Sequence, residues 1–201
     1  APYSITKNKR RYQEEEKVND NITIYRPNHL SFSNYRIGKF CPSLFFRQKA
    51  INRALRRLPV KPDMMYCHFW ESALEGYQFA KKNALPLFVA SGESSISTLL
   101  HNKHVPTDLD ECVSGVICVS TKNKEESISL GLTTPKNCFV KPNAVNNNLF
   151  RKLDKQECRS KLGVSKDDFV VCFVGSFIER KGPNRVAGAI KSIPGKPIKS
   201  F

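Results

Sequence analysis

Two adjacent cations directly before a helix start are the residues here whose spacing most plainly suggests chemistry. In Phe173-Val-Gly175-Ser-Phe-Ile-Glu-Arg180-Lys181-Gly182-Pro183 an apolar run delivers a glycine, a short loop follows, and Gly182-Pro183 opens a helical pattern. Proline suits the first helical position, where its missing N–H would have had no intrahelical partner. The free N–H groups and the dipole at that end favour negative charge, and Arg180 and Lys181 add two formal positive charges at the same place. A diphosphate fits such a site. Taken alone, the same residues also read as a solvated loop.

The surrounding pattern supplies the frame. Asn21-Ile-Thr-Ile-Tyr-Arg-Pro27 alternates like a short strand that stops at proline. Met64–Phe69 is an apolar run, after which Trp70, Ala73, Leu74, Tyr77 and Ala80 recur at helical intervals. Strands are expected at Leu85–Ala90, ending at Ser91-Gly92-Glu93, and at Gly115–Val119, which runs into Ser120 as the N-cap of a helix closed by Gly131. Strand and helix alternate, and the strands are apolar throughout. That combination predicts an α/β fold with a parallel sheet covered on both faces. After Cys138–Asn143 the texture changes. Asn146-Asn147-Asn148 reads as a loop, Asp154 with Glu157 as a helix start closed by Gly163, and Phe169–Val174 as a new strand. A boundary near Asn143–Asn148 divides the chain into a first domain, 1–145, and the start of a second, 146–201.

Charge is distributed unevenly. The net charge is +15 over 201 residues, and up to Pro62 there are 14 Lys/Arg against 4 Asp/Glu, or +10, leaving +5 for the rest. The excess sits in Lys7-Asn8-Lys9-Arg10-Arg11 and in 45–58, where Phe46, Ala50, Ile51, Ala54, Leu55 and Leu58 recur at helical spacing between Arg47, Lys49, Arg53, Arg56 and Arg57. This is a basic amphipathic helix. Its charges either stay in water or meet anionic lipid headgroups or a charged acceptor. Nucleic acid is disfavoured, because the aromatics do not interleave with the basic residues. No run approaches the roughly 18–20 apolar residues of a membrane span, so a cytoplasmic piece is expected. The seven cysteines lack a C-x-x-C pair, and Cys67, Cys118, Cys138 and Cys172 lie in or beside apolar runs, as buried free thiols do. His101 and His104 have no flanking carboxylate or cysteine cluster, so a loop is preferred to a metal site.

Val116-Ile-Cys-Val-Ser120, Asn137-Cys-Phe-Val-Lys-Pro-Asn143-Ala-Val-Asn-Asn-Asn-Leu-Phe150, Cys158-Arg-Ser-Lys-Leu-Gly163 and the Gly175–Pro183 segment follow one another in an order that resembles the family-4 (group 1) glycosyltransferases. The resemblance runs over nearly the whole chain and is more specific in the second half. It implies two Rossmann-like parallel-sheet domains of the GT-B type, both incomplete here, and a retaining transferase that needs no metal or resident cofactor. The donor would be a nucleotide-diphosphate sugar and the acceptor a polysaccharide or lipid-linked glycan of the cell surface. Catalytic roles fall to Arg180 and Lys181, which would grip the donor diphosphate. Gly175, Ser176, Gly182 and Asn143 would complete the donor side, with Gly175 admitting the backbone and Asn143 at the interdomain crossover. Ser91, Gly92 and Glu93 would line the acceptor side.

Three positions depart from the family pattern. Ser176 stands where a phosphate-binding arginine is usual, Ala144 replaces a hinge glycine, and Ser91 replaces a cleft histidine. Glu93 could take a polar role there or simply cap a turn. By the same resemblance Ala1-Pro2 matches the end of a second strand, and Phe201 precedes the family's glutamate pair, so the piece alone is expected to be inactive. Peripheral attachment to the inner membrane face through the 45–58 helix is a further expectation. The alternative to a transferase is a Rossmann-type module that binds a nucleotide or an anionic polymer without chemistry.

Overall fold

The computed structural model describes residues 2–3, 13–32, 35–38, 40–101, 103–193 and 198–200; the Lys7–Arg11 run lies outside them. The chain divides into two compact units, Ala1–Asn143 and Ala144–Phe201.

The first unit opens with β1 (Pro2–Tyr3), which pairs in parallel with β4 (His29–Leu30). Between them β2 (Glu15–Asn19) and β3 (Ile22–Tyr25) form an antiparallel hairpin. Helix α1 (Pro42–Arg56) follows, then β5 (Met65–His68), α2 (Phe69–Lys82), β6 (Leu87–Ser91), α3 (Ile96–Leu100), α4 (Leu109–Cys112), β7 (Val113–Cys118), α5 (Thr121–Ser129) and β8 (Cys138–Val140). Strands β5, β6, β7 and β8 lie side by side in that order, all parallel, as strand–helix alternation requires.

Burial along these strands alternates. Cys67, Leu87, Val89, Val116, Cys118 and Cys138 face the helices and join Trp70, Ala73, Tyr77 and Ala80 of α2 and Ile96, Leu100 and Leu109 in one core. On the opposite face Tyr66 and Phe139 remain 57% and 55% exposed, and Ile117 is also accessible. The expectation of a sheet covered on both faces is therefore corrected. The described helices that pack on the sheet bury one face, while on the other Phe88 and Ala90 are half-buried and Tyr66, Ile117 and Phe139 stay open.

Helix α1 carries the predicted apolar stripe, with Ala50 buried and Phe46, Ile51, Ala54 and Leu55 half-buried. Its cations are not one uniform face. Arg47 pairs with Glu71, 2.7 Å away, and with Glu75 of α2, and Lys103 joins Glu71 at 2.5 Å. Burial alone would raise the Glu71 carboxyl, but Lys103 and Arg47 hold it below its ordinary value. Arg53, Arg56 and Arg57 are exposed.

In the second unit, Asp154 caps α6 (Lys155–Lys161) by accepting from the Glu157 N–H at 2.8 Å, and Gly163 closes it at φ +64°. Strand β9 (Phe169–Val171) pairs in parallel with β10 (Ile198–Ser200), and α7 (Pro183–Lys191) follows the intervening loop. The strand is shorter than the apolar run suggests because β10 pairs only with its first three residues; Val174 is exposed, and so is Cys172, which was expected to be buried.

Candidate functional site

The predicted acceptor-side residues come together at the carboxyl ends of β5 and β6, where open parallel sheets present their ligand sites. Ser91 ends β6 and is fully buried, with Gly92 and Glu93 next in the turn. Both carboxylate oxygens of Glu93 are engaged. One accepts from the Trp70 N–H at 2.6 Å and the other from the Ser91 hydroxyl at 2.7 Å. The Glu93 carbonyl accepts from the Asn123 amide at 2.8 Å. Glu93 is thus a capping carboxylate that reaches across the sheet to satisfy an N–H in the first turn of α2, where a negative charge also suits the helix dipole.

Helix α2 needs that help, since His68 at its N-cap makes no side-chain cap. Its first residue, Phe69, has φ +71°. For a bulky L-residue this left-handed conformation costs on the order of 1–2 kcal/mol. The neighbours impose it. His68 belongs to the sheet ladder, while Trp70 is held through its backbone by Glu93 and through its buried indole N–H, which donates to the Ser127 hydroxyl at 3.1 Å. A Cβ at Gly92 would meet the Phe69 ring and Val119 at 3.4 Å, so glycine there permits close approach of the ring. Sequence reasoning singled out neither Phe69 nor the role of Trp70. The one local signal was the run His68-Phe69-Trp70 at a strand-to-helix junction.

The predicted donor-side residues lie in the second unit, apart from Asn143, which is exposed in the loop after β8. Gly175 and Ser176 follow β9 and are exposed, and the Ser176 carbonyl accepts from the Ile178 N–H at 2.9 Å. Glu179–Lys181 form a 3₁₀ turn, and Gly182 then sits at φ +75° before Pro183 begins α7. The positive φ at Gly182 calls for glycine, whereas the Arg185 guanidinium, which a Cβ there would meet at 2.7 Å, is the end of a flexible side chain that can turn aside. No side chain caps α7. Glu179 pairs with Arg185 at 3.0 Å, whereas among the described residues Arg180 and Lys181 make no ion pair, and both are exposed. Two uncommitted cations therefore adjoin an uncapped helix start, an arrangement suited to an anion. The described residues contain no group of three or more side chains that could hold a metal.

No family model matches the chain. In sequence it is similar to the D-inositol 3-phosphate glycosyltransferases of Mycobacterium marinum and Mycobacterium ulcerans, each 26% identical over 152 aligned positions, 68% of this chain and 32% of the relative. In structure it is similar to Anabaena HepE, solved in complex with UDP-glucose, with a TM-score of 0.55 and 19% identity over 87% of this chain and 46% of that one. Sucrose-phosphate synthase from Thermosynechococcus elongatus superposes with a TM-score of 0.62 and 16% identity, covering 94% and 49%. The fold is GT-B, and in sequence the chain is similar to glycosyltransferases. It spans about a third of the length of the curated relatives and about half of the solved structures. In this GT-B piece no described helix is long and apolar enough to cross a membrane.

Proposed function

We propose that the chain is the acceptor-side domain and the opening of the donor-side domain of a retaining glycosyltransferase that uses a nucleotide-diphosphate sugar. The observation that carries this reading is the pair of uncommitted cations, Arg180 and Lys181, beside the uncapped start of α7. As the glycosidic bond of a sugar nucleotide breaks, charge grows on the leaving diphosphate. Cations and N–H groups held at that place stabilise the transition state more than the ground state. The complexes of HepE with UDP-glucose and UDP support a uridine nucleotide as the first donor to try.

On the acceptor side Ser91, Gly92 and Glu93 shape the turn, with Glu93 positioning α2. The acceptor proposed is a polysaccharide or lipid-linked glycan of the cell surface. The exposed Arg53, Arg56 and Arg57 of α1 are the groups that would meet an anionic inner membrane face. Arg47 is excluded from that role by its partners on α2.

Calorimetric titration of UDP into the full-length protein tests the donor assignment. Replacing Arg180 and Lys181 together with alanine removes two charge-assisted contacts and is expected to weaken UDP by about 100-fold or more. Unchanged affinity in a variant with wild-type circular dichroism would remove the assigned role.

A further inference from the structure

At the amino end of β5, opposite the Ser91–Glu93 turn, the carboxyl ends of α1 and α2 and the connection 57–64 border a cavity of about 650 Å³. That volume suits a small organic molecule. Leu55, Leu58, Val60 and Phe79 give the cavity an apolar wall, and Arg56, Lys61 and Lys82 bring three cations to it. Among the described residues no carboxylate lines it. Arg47 and Lys81 on the same two helices pair with Glu75 and Asp108, and Arg53 and Arg57 line a separate cavity together with Glu14 and Glu15. Arg56, Lys61 and Lys82 make no ion pair among the described residues. Cations in a last helical turn ordinarily offset the helix dipole, which is the competing account of Arg56 and Lys82. The magnitudes decide between the two. Each helix end carries roughly half a negative charge, so two ends offset about one cation and leave an excess of about two. Lys61 lies outside any helix. A phosphomonoester carries about −1.5 to −2 near neutrality, which matches that excess.

We propose that this cavity binds a phosphomonoester whose organic part lies on the apolar wall. Arg56, Lys61 and Lys82 supply charge-assisted donors to the phosphate oxygens. Asn52 adds a neutral donor, since its Oδ1 accepts from Gln48 at 3.2 Å and its NH2 group is left unused. Inorganic phosphate would leave the wall in water, so an ester is the better fit. Two sources share this chemistry: the head of a phospholipid of the phosphatidic acid type, and a soluble phosphorylated metabolite. The lipid source deepens the proposed membrane contact of α1 and rests on it, whereas the capacity for a phosphomonoester rests on neither that contact nor the transferase reading.

The test uses the full-length protein in excess UDP, with phenyl phosphate and inorganic phosphate as calorimetric probes. Phenyl phosphate should bind with a Kd of about 1 mM or tighter, and more tightly than inorganic phosphate. Lys61→Gln with Lys82→Gln should weaken it about tenfold, while Arg180→Ala with Lys181→Ala leaves it unchanged. Lys61→Gln alone should weaken the ester and keep the wild-type melting temperature, because Lys61 serves no helix end. Cations that only offset dipoles give the opposite result: a lower melting temperature in Lys82→Gln with unchanged ester binding. That outcome, or no binding of phenyl phosphate to wild type in excess UDP, overturns the pocket. Flotation with phosphatidylcholine vesicles containing phosphatidic acid or phosphatidylglycerol distinguishes the sources. Stronger recruitment by phosphatidic acid, lost in the Lys61→Gln Lys82→Gln variant, assigns the lipid head. Equal recruitment by the two lipids assigns the pocket to a soluble ester. Phenyl phosphate binding without recruitment to either vesicle keeps the pocket and defeats the membrane contact alone.

Discussion

Two helices, α2 and α7, each begin shortly after a parallel strand, and they treat the positive end of their dipoles in opposite ways. At α2 the anion is built in. Glu93 reaches from the neighbouring strand end to the Trp70 N–H, and one carboxylate also secures buried Ser91. At α7 nothing among the described residues fills that role. Gly182 supplies no side chain, Pro183 has no N–H to satisfy, and Arg180 and Lys181 add positive charge instead of offsetting it. The first helix start is complete within the chain and serves to position other groups. The second is left electrostatically open, which is what an external phosphate requires.

That contrast can be broken at α2. Glu93→Ala leaves the Trp70 N–H and the buried Ser91 hydroxyl without their partner and should cost about 2 kcal/mol, seen as a lower urea midpoint with an unchanged slope. Glu93→Gln keeps an acceptor and should lose about half as much. A cost below about 0.5 kcal/mol for the alanine variant would mean that α2 starts without its carboxylate, and the two helix starts would then differ only in sequence.

A third helix start sharpens the comparison through pH. Glu126 of α5 accepts from the Ser97 N–H at 2.9 Å at the beginning of α3, and N–H donation by Ser97 and then Ile96 brings its carboxyl down to about 2. Its folded value lies below the unfolded one, so the stabilisation is complete above the unfolded value and fades as pH falls toward the folded value. Glu126→Gln should therefore lose about 1 kcal/mol near neutrality, with the gap between variant and wild type closing between about pH 5 and pH 2. A pH-independent difference would assign the loss to packing.

What was legible in the sequence follows the range of each interaction. Ser120, Asp154 and Gly182-Pro183 marked helix starts correctly because a cap acts within a few residues, as in the bonds to the Asn123 and Glu157 N–H groups. The parallel strands β5, β6, β7 and β9 were readable from their apolar runs, whereas the short β1, β4 and β10 were not. The strand Glu15–Asn19 was not, since its charged sequence gives no apolar pattern and it forms by pairing with β3. Arg47 looked like part of a basic face because its partners lie 24 and 28 positions away on α2. Glu93 was open between lining and capping for the same reason, its partner Trp70 lying 23 positions upstream. The donor loop was legible as charge and glycine. The strain at Phe69 was not, because it is imposed by contacts converging from the turn after β6 and from α5.

The far end of α2 supplies the smallest effect and the control for the strain argument. Ala84 has φ +52°, just after the C-cap Asn83. The Ala84 N–H donates to the Lys81 carbonyl at 3.2 Å and the Leu85 N–H to the Ala80 carbonyl at 2.9 Å, the paired bonds of a Schellman turn, in which glycine is preferred at this position. Ala84→Gly relieves the left-handed penalty but gains unfolded-state freedom, so the net gain should be about 0.5 kcal/mol, or about 1–2 °C in melting temperature. Leu85 and Ala80 are buried in the core on either side, so the change leaves the packing intact. If Ala84→Gly and Phe69→Gly both keep or raise stability, the strain at the two ends of α2 is alike in energy. A fall in stability confined to Phe69→Gly would show that packing of its ring against Gly92 outweighs the strain.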